Sequence, residues 1–450
     1  MSFFYDSGYG DRGDRHGNNQ LTSPADRKKW IRRYVTDPCL LWLFGVFFLS
    51  ASFILIQSEK EMNTSQKYEC YSYHIERTNE KKEVADVAAQ TELPGSLNAG
   101  YAILMDADNR RVLFEKKCYE QVPMASTTKI MTLLVTLENA NPEDVVEVSA
   151  YAASMPQVKL GMKKGERFKL KDLLYSLMLE SHNDSAVAIA EHVGGSVEQF
   201  AAMMNEKAVS LGAYQTNFVT PNGLDAKNHY TTAYDLALIA SYAIQNEQFL
   251  DIIKTPDHTF RELNSGRSYT VQNKDRFLTS YEGAIGIKTG FTGNAGYCFV
   301  GAVDRDDKRF VSVVLACGWP PNKNYKWQDT KKLMDYGMKK YSFREVVKKD
   351  TTFPPIAVTD SMEGDAITPY AGEGVGLLLS GNDEIRCDVE VPKSLAAPVK
   401  RGETVGNITI FINGKQYRIL PLYSKEERRK ITYVYVLKKI WIRYFAFTSG

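Results

Sequence analysis

Apolar residues recur at helical spacing in several stretches of the chain. In residues 130–137 they stand three and four positions apart, which predicts a buried helix. Residues 186–193 repeat the pattern after an apolar run at 173–179, so a short connection is expected between two helices. Residues 322–341 predict another helix, which closes this part of the chain.

Strand patterns flank this helical region. Residues 101–106 and 111–115 predict one hairpin, and residues 296–303 and 310–316 predict a second. Because the chain between them is largely helical, we expect an antiparallel sheet with helices packed on it. The fold class is therefore α/β in the α+β sense.

Short alternating strands continue beyond a proline-containing linker at residues 350–355. Residues 404–412 and 416–422 flank Asn413-Gly414, a strong signal for a two-residue hairpin turn. Residues 350–424 are therefore predicted to form a small all-β domain of structural role.

The N-terminus is polar and then abruptly apolar. Residues 1–38 predict a disordered cytoplasmic tail that ends in a basic cluster. Residues 39–57 carry no charge and are long enough to span a bilayer as a signal-anchor helix. A cleaved signal peptide is the alternative. The polar residues 58–93 predict a stalk that carries the remaining chain on the far side of the membrane.

Residues 425–450 mix aromatic and aliphatic side chains with Lys438, Lys439 and Arg443. We interpret this segment as an imperfect amphipathic helix on the membrane surface. A last strand or a frayed tail is the alternative.

Composition narrows the function classes. The 450 residues are 44% hydrophobic and 24% charged, as in ordinary globular proteins, and the net charge of +2 gives no case for nucleic-acid binding. The six histidines show no metal-ligand spacing, which disfavours a zinc peptidase. Cys298 and Cys317 are not directly opposite on their strands, so we expect buried free thiols.

Ser126 and Lys129 combine a nucleophile and a base near the start of the helix at 130–137. Residues three apart share a helix face, and a serine hydroxyl near neutral pH needs a base to take its proton. A lysine that is desolvated in a cleft can act as that base. Taken alone, however, this pair is weak evidence for a catalytic site.

Two further motifs strengthen the assignment of Ser126 and Lys129 to a catalytic site. Ser181-His182-Asn183 lies on the predicted connection between helices, and Lys288-Thr289-Gly290 precedes the strand at 296–303. The Ser-x-Asn pattern also occurs at residues 96–98 and 380–382, but only the Ser181 copy lies between the other two motifs. The copy at 380–382 is interpreted as a turn.

These three motifs occur together in penicillin-binding proteins and class A β-lactamases. The chain resembles the D-alanyl-D-alanine carboxypeptidases, which are low-molecular-mass penicillin-binding proteins, across about residues 97–341. The segments that carry the resemblance are ASTTKIMT (125–132), ESHNDSAVAIAEHVGGSVEQFAAMMN (180–205), TPNGLDAKNHYTTAYDLALIA (220–240) and GIKTGFTGNAGYC (286–298). The resemblance implies a β-lactamase/transpeptidase-like catalytic domain, at residues 94–345, with a helical subdomain beside the cleft.

The resemblance also implies roles for individual residues. Ser126 would attack the carbonyl between the two terminal D-alanines of a peptidoglycan stem peptide. Lys129 would take the proton of the Ser126 hydroxyl. Ser181 would relay a proton to the leaving amine, and Asn183 would hold Lys129 and a substrate carbonyl. The substrate-binding residues would be Lys288, Thr289, Gly290 and Phe291, with the Ser126 and Phe291 amides holding the oxyanion.

The resemblance implies stem peptides and β-lactam antibiotics as partners and a reaction that requires no metal or cofactor. The segments at 39–57 and 425–450 predict the membrane as a further partner. His182 departs from the family, which usually carries a small residue there, and we expect it at the rim of the cleft. A β-lactamase and a non-enzymatic wall-binding or penicillin-sensing protein are the alternatives. Between Ser181 and Lys288, no Glu precedes an Asn by four positions, so the glutamate signature of class A β-lactamases is absent.

Overall fold

In a computed structural model that describes residues 70–75 and 94–448, the two predicted catalytic hairpins lie side by side in one antiparallel sheet. The strands of the described chain are β1 (Cys70–Ile75), β2 (Tyr101–Asp106), β3 (Val112–Lys116), β4 (Val145–Glu147), β5 (Arg167–Lys169), β6 (Asp257–Arg261), β7 (Ser268–Gln272), β8 (Ala284–Thr292), β9 (Gly296–Arg305), β10 (Lys308–Leu315), β11 (Tyr341–Val347), β12 (Ile356–Thr359), β13 (Ala366–Ile367), β14 (Pro369–Ala371), β15 (Val375–Ser380), β16 (Ile385–Pro392), β17 (Ser394–Ala396), β18 (Thr404–Ile412) and β19 (Lys415–Ser424). The helices are α1 (Lys129–Asn139), α2 (Ala150–Ala153), α3 (Leu170–Tyr175), α4 (Asn183–Gly194), α5 (Val197–Ser210), α6 (Ala233–Ala243), α7 (Glu247–Lys254), α8 (Phe277–Ser280), α9 (Tyr325–Lys340) and α10 (Tyr433–Thr448). A 3₁₀ turn, Ala125–Thr128, precedes α1, and a π-helical turn, Ser176–Glu180, follows α3.

The catalytic sheet has five strands in the order β3-β2-β10-β9-β8. Val313 on the central strand stands opposite Ile103 on one side and Val300 on the other. All three are fully buried because helices cover both faces of the sheet. The predicted α+β fold class is confirmed, and β8 lies at one edge.

A helical lobe stands on one face of this sheet. Its central element is α1, whose apolar side chains pack against α4, α5 and α6. The helical spacing at residues 130–137 reflects this burial, since α1 is enclosed on several sides. The other face of the sheet is covered by α9 through Leu333 and Met334.

The C-terminal region is all β, as predicted, and is built on the sheet β1-β16-β18-β19-β14. Its hairpin turns at Asn413 and Gly414, with Ile412 opposite Lys415. Both turn residues have positive φ, at 51° and 75°, which the favoured two-residue hairpin turn requires.

Two predicted boundaries differ from the structure. The all-β region begins at Tyr341, immediately after α9, because β11 pairs with β15 before the expected linker at 350–355 is reached. In the segment predicted as a polar stalk, β1 pairs with β16 at the edge of the C-terminal sheet. Alternation over six residues is too short a signal to reveal a strand whose partner lies more than 300 positions away.

The C-terminal segment forms a helix, α10, with exposed Val434, Trp441, Ile442 and Phe445. In the part of the chain that the structure describes, no helix is long and apolar enough to cross a membrane. The predicted span at residues 39–57 and the tail at 1–38 lie outside the described residues.

Cys298 and Cys317 are both fully buried and are both free thiols, as the sequence predicted. Burial raises the pKa of each thiol, Cys298 to about 12, so neither is a reactive thiolate near neutral pH.

Candidate active site

The site begins at the 3₁₀ turn that leads into α1. Ser126 lies in this turn and Lys129 is the first residue of the helix proper. Ala125, just before the serine, has φ 48°, a left-handed conformation that sharpens the entry into the turn. Lys129 Nζ lies 2.9 Å from Ser126 Oγ, so the predicted pair is formed.

Lys129 is enclosed by protein. Its side chain is 0% exposed, and its Nζ also lies 3.0 Å from Asn183 Oδ1 and 2.5 Å from the carbonyl oxygen of Asn222. Burial lowers the pKa of Lys129 well below its usual range, the nearby Lys288 lowers it further, and Asp184 opposes both. These shifts favour the neutral amine, which is the form that can act as a base.

Asn222 escaped the sequence analysis as a site residue. It lies in the loop Pro221-Asn222-Gly223, where Thr132 Oγ1 donates to the Pro221 carbonyl at 2.6 Å. A Cβ at Gly223 would lie 2.0 Å from the Ala125 carbonyl oxygen, so the loop backbone touches the turn that carries the nucleophile. A Pro-Asn-Gly run is a turn signal, but nothing in it indicates which carbonyl meets a lysine.

A second layer fixes the same turn. His229 Nδ1 accepts from the Val219 amide at 3.0 Å, so its Nε2 carries the proton and donates to Thr128 Oγ1 at 2.9 Å. Thr128 Oγ1 in turn donates to the Ala125 carbonyl at 2.8 Å. Burial lowers the pKa of His229 to about 4, which keeps the ring neutral.

Ser181 follows the π-helical turn, and α4 begins at Asn183. Ser181 has φ 70° and ψ 31°, a left-handed conformation that costs a non-glycine residue about 1–2 kcal/mol. Its Oγ is buried and makes no hydrogen bond within residues 70–75 and 94–448. The hydrogen-bonding capacity of this hydroxyl is therefore unused among these residues.

His182 does not lie at the rim of the cleft, as the sequence suggested. It is 4% exposed, and its ring reaches Ser176 Oγ at 2.8 Å and Glu180 Oε2 at 3.3 Å. The prediction was wrong because the π-helical turn brings these polar partners beneath the loop, which a sequence pattern does not show.

A loop at residues 156–162 adjoins the Ser181 motif. The Asn183 amide donates to the Val158 carbonyl at 2.8 Å. The Asp184 carboxylate accepts from the backbone amides of Leu160 at 2.9 Å and Gly161 at 2.8 Å. The start of α4 therefore holds both the base and this loop.

Lys288 lies on the edge strand β8 and is 2% exposed. Burial lowers the pKa of Lys288 to about 8, against the attraction of Asp275. Nothing in the sequence indicated this effect of Asp275, since Asp275 stands 13 positions earlier outside any motif. Burial raises the pKa of Asp275 to about 7, and its Oδ2 has no hydrogen-bond partner among the described residues.

Gly290 brings the edge strand against the nucleophile. A Cβ there would lie 3.0 Å from the Ser126 nitrogen and 3.1 Å from the Thr127 nitrogen. Only a residue without a side chain allows this approach, which explains the glycine physically. Phe291 follows with its ring exposed, 4.6 Å from the ring of Tyr297.

In the described parts of the chain, no group of three or more His, Cys, Asp or Glu side chains is arranged to hold a metal ion. Lys288 provides a buried positive charge on β8, and Thr289 follows it in the strand. A carboxylate is the ligand that a lysine cation suits.

Comparison with known proteins places these residues in a family context. Residues 86–318 match the D-alanyl-D-alanine carboxypeptidase family, and residues 341–430 match the C-terminal domain of penicillin-binding protein 5. The chain is 29% identical to the D-alanyl-D-alanine carboxypeptidase DacF of Bacillus subtilis, over 75% of this chain and 88% of that protein. It is 30% identical to DacC of Escherichia coli, over 76% of this chain and 87% of the relative.

Solved structures agree with this family match. Penicillin-binding protein 5 from Haemophilus influenzae superposes with a TM-score of 0.65 at 24% identity, covering 75% of this chain and all of that one. The Streptomyces K15 DD-transpeptidase superposes with a TM-score of 0.51 at 31% identity, over 54% of this chain and 98% of its own. The first supports the fold of both domains, and the second covers about the length of the catalytic region alone.

Proposed function

The chain belongs to the D-alanyl-D-alanine carboxypeptidase family, and from this premise we propose that Ser126, Lys129, Ser181 and Asn183 carry out its reaction. The protein is a serine-type D-Ala-D-Ala carboxypeptidase, which removes the terminal D-alanine from peptidoglycan stem peptides through an acyl-enzyme and is acylated by penicillins. The observation that supports the assignment of residues is the 2.9 Å contact between Ser126 Oγ and a fully buried Lys129 Nζ.

Acylation begins with Lys129. Its neutral amine takes the proton of Ser126 Oγ as the oxygen attacks the carbonyl carbon between the two D-alanines. Asn183 Oδ1 and the Asn222 carbonyl hold the amine in place and accept the hydrogens of the resulting ammonium group. The cation therefore forms where acceptors already exist, with no reorganisation of solvent.

Substrate binding and charge stabilisation come from β8. Lys288 and Thr289 hold the terminal carboxylate of the substrate through charge-assisted hydrogen bonds. The backbone amides of Ser126 and Phe291 donate to the oxyanion, and the glycine at 290 lets the two chain segments approach closely enough for this. As an edge strand, β8 can also pair with an extended peptide.

Ser181 completes acylation. Its hydroxyl, which has no hydrogen-bond partner in the described chain, passes a proton to the nitrogen of the departing D-alanine as the C–N bond breaks. Ser181 regains a proton from the Lys129 ammonium, which restores the neutral amine for deacylation. Water then attacks the acyl-enzyme, its proton passes to a base, and Ser126 leaves as the free hydroxyl. We assign that base to Lys129, which remains next to the ester oxygen.

The test combines one variant with two substrates. Ser126→Ala should abolish covalent labelling by a fluorescent penicillin and release of D-alanine from a stem pentapeptide, with an unchanged melting temperature. Labelling that persists in a folded Ser126→Ala protein would refute the assignment of the nucleophile. Wild-type protein that hydrolyses the penicillin rapidly but leaves the pentapeptide intact would favour the β-lactamase instead.

We also propose that the enzyme is membrane-bound, with residues 39–57 spanning the bilayer and the catalytic domain outside. The uncharged run of about 19 residues supports a span. The helix α10, with exposed Val434, Trp441 and Ile442, supports a second and weaker contact at the membrane surface.

A further inference from the structure

His182 is buried between two proposed catalytic residues, yet its ring touches neither in the contacts described. It lies against Ser176 and Glu180. The ring Nδ1 is hydrogen-bonded to the Ser176 hydroxyl, and Nε2 lies 3.3 Å from Glu180 Oε2. Ser176 Oγ is also hydrogen-bonded to Ser185 Oγ at 2.7 Å.

A chain of polar contacts therefore runs from Ser185 through Ser176 and His182 to Glu180. Glu180 is itself fixed from outside, since its carboxylate accepts from the Gln272 amide at 3.1 Å and pairs with Lys274 at 3.1 Å. The ring of His182 thus connects α4 and the π-helical turn to the β6–β7 hairpin.

Ser181 stands between the two ends of this contact. Glu180 and His182 are its chain neighbours, and their side chains meet each other. A left-handed serine persists only where its surroundings determine its conformation, and this contact closes the turn on both sides of it. A small residue at position 182 would leave Glu180 and Ser176 without this partner and would loosen the turn.

We propose that His182 is a positioning residue for Ser181: together with Glu180 it closes the left-handed turn and holds Ser181 Oγ where it can give a proton to the leaving amine. This inference rests on the role proposed above for Ser181. His182 contributes no proton to the reaction and contacts no substrate. It fixes the geometry of a hydroxyl that makes no hydrogen bond among the described residues.

The test uses two substrates that differ in one atom of the scissile bond. A peptide ending in D-alanyl-D-alanine has an amide nitrogen as its leaving group, and the depsipeptide ending in D-alanyl-D-lactate has an ester oxygen. The nitrogen cannot leave without a proton, whereas the oxygen leaves with much less assistance. Both carry the same terminal carboxylate, so binding to Lys288 is matched.

His182→Gly should lower kcat/KM for the peptide roughly 10- to 100-fold and that for the depsipeptide by much less, with KM for both little changed. Ser181→Ala should show the same selectivity with a larger loss on the peptide. His182→Gln, which can still donate and accept, should recover part of the peptide activity. His192→Ala is the matched control, because His192 lies on the same helix and pairs with Asp144 away from the site.

Equal losses on the two substrates in His182→Gly would overturn the inference, since a general loosening of the fold does not distinguish amide from ester. If His182→Gly does not fold, the same comparison in His182→Gln decides, with equal losses again excluding the positioning role. If Ser181→Ala loses kcat/KM equally on the peptide and the depsipeptide, the proton relay of the proposed function itself is refuted. If Ser181→Ala loses more on the peptide but neither His182 variant does, only the role of His182 is refuted.

Discussion

Lys129 Nζ lies 2.9 Å from Ser126 Oγ, and two nearby charges of opposite sign shift the pKa of this amine in opposite directions. Lys288 lowers the pKa of Lys129, and Asp184 raises it. Both act on a buried group, where charges are poorly screened. Removing the charge of Lys288 or of Asp184 is therefore expected to move the acid limb of the pH profile of acylation, in opposite directions.

Replacing Lys288 removes the positive neighbour. In Lys288→Ala the pKa of Lys129 rises, so a higher pH is needed to obtain the neutral base, and the acid limb of acylation moves upward. Loss of the carboxylate contact also lowers kcat/KM roughly 10- to 100-fold. Because the pKa of Lys288 is about 8, wild-type activity should fall above that pH and the variant should lack this alkaline limb. An acid limb that stays in place would show that the two lysines are not coupled.

Replacing Asp184 removes the negative neighbour. In Asp184→Asn the pKa of Lys129 falls further, so the acid limb of penicillin acylation moves to lower pH. The amide keeps one acceptor oxygen for the loop at residues 156–162, which limits the loss of structure. Rates of acylation measured from pH 5 to 9 decide the direction, and an upward shift would contradict the electrostatic account.

The sequence located the residues of the candidate site better than it located the residues around them. Ser126, Lys129 and Lys288 belong to short motifs whose spacing reflects one helix turn or one strand, and the structure brings Lys129 next to both Ser126 and Asn183. Asn222 was missed because it contributes a backbone carbonyl, which has no residue signature. The local pattern at 181–183 likewise gave no sign that the His182 ring is buried against Ser176 and Glu180.

The same limit applies to the fold. Hairpins and amphipathic helices depend on contacts within about 20 residues, and the predicted hairpins at 101–115 and 404–422 are present. By contrast, β1 and β16 are joined by contacts across more than 300 positions, and the pairing of β11 with β15 crosses the expected linker. Tertiary contacts decide such pairings, and alternation along a single strand does not identify the partner.

Gly290 sets the distance between β8 and the nucleophile. Gly290→Ala should lower acylation about 100-fold, because a Cβ 3.0 Å from the Ser126 nitrogen forces apart the two amides proposed to hold the oxyanion. Gly293→Ala is the matched control, since a Cβ there meets nothing within 4 Å. Stopped-flow penicillin acylation measures the effect, and equal rates in the two variants would contradict it.

The proposed membrane contacts differ in strength. A protein that lacks residues 425–450 should remain in the membrane fraction, because a spanning helix holds far more firmly than an interfacial one. A protein that starts at residue 94 and keeps α10 should bind anionic vesicles weakly and be released by salt, through Lys438, Lys439 and Arg443. Flotation with vesicles measures both. Terminal sequencing that finds a mature N-terminus near Phe53 would instead identify a cleaved signal peptide.

His229 should make stability depend on pH in a defined window. Its pKa is lowered to about 4 by burial, so the folded protein keeps the ring neutral while the unfolded chain takes up a proton below its ordinary value of 6.5. The unfolded state therefore binds more protons as the pH falls from about 6.5 to 4, and the stability contributed by this group is lost over that range, up to about 3 kcal/mol. His229→Gln should be less stable than wild type at pH 7, because the bonds to Thr128 and Val219 are weakened. The difference in unfolding free energy between the two proteins should then narrow toward pH 4. Denaturant titrations at pH 7, 5.5 and 4 measure this difference, and parallel pH curves would show that His229 titrates alike in the folded and unfolded chains.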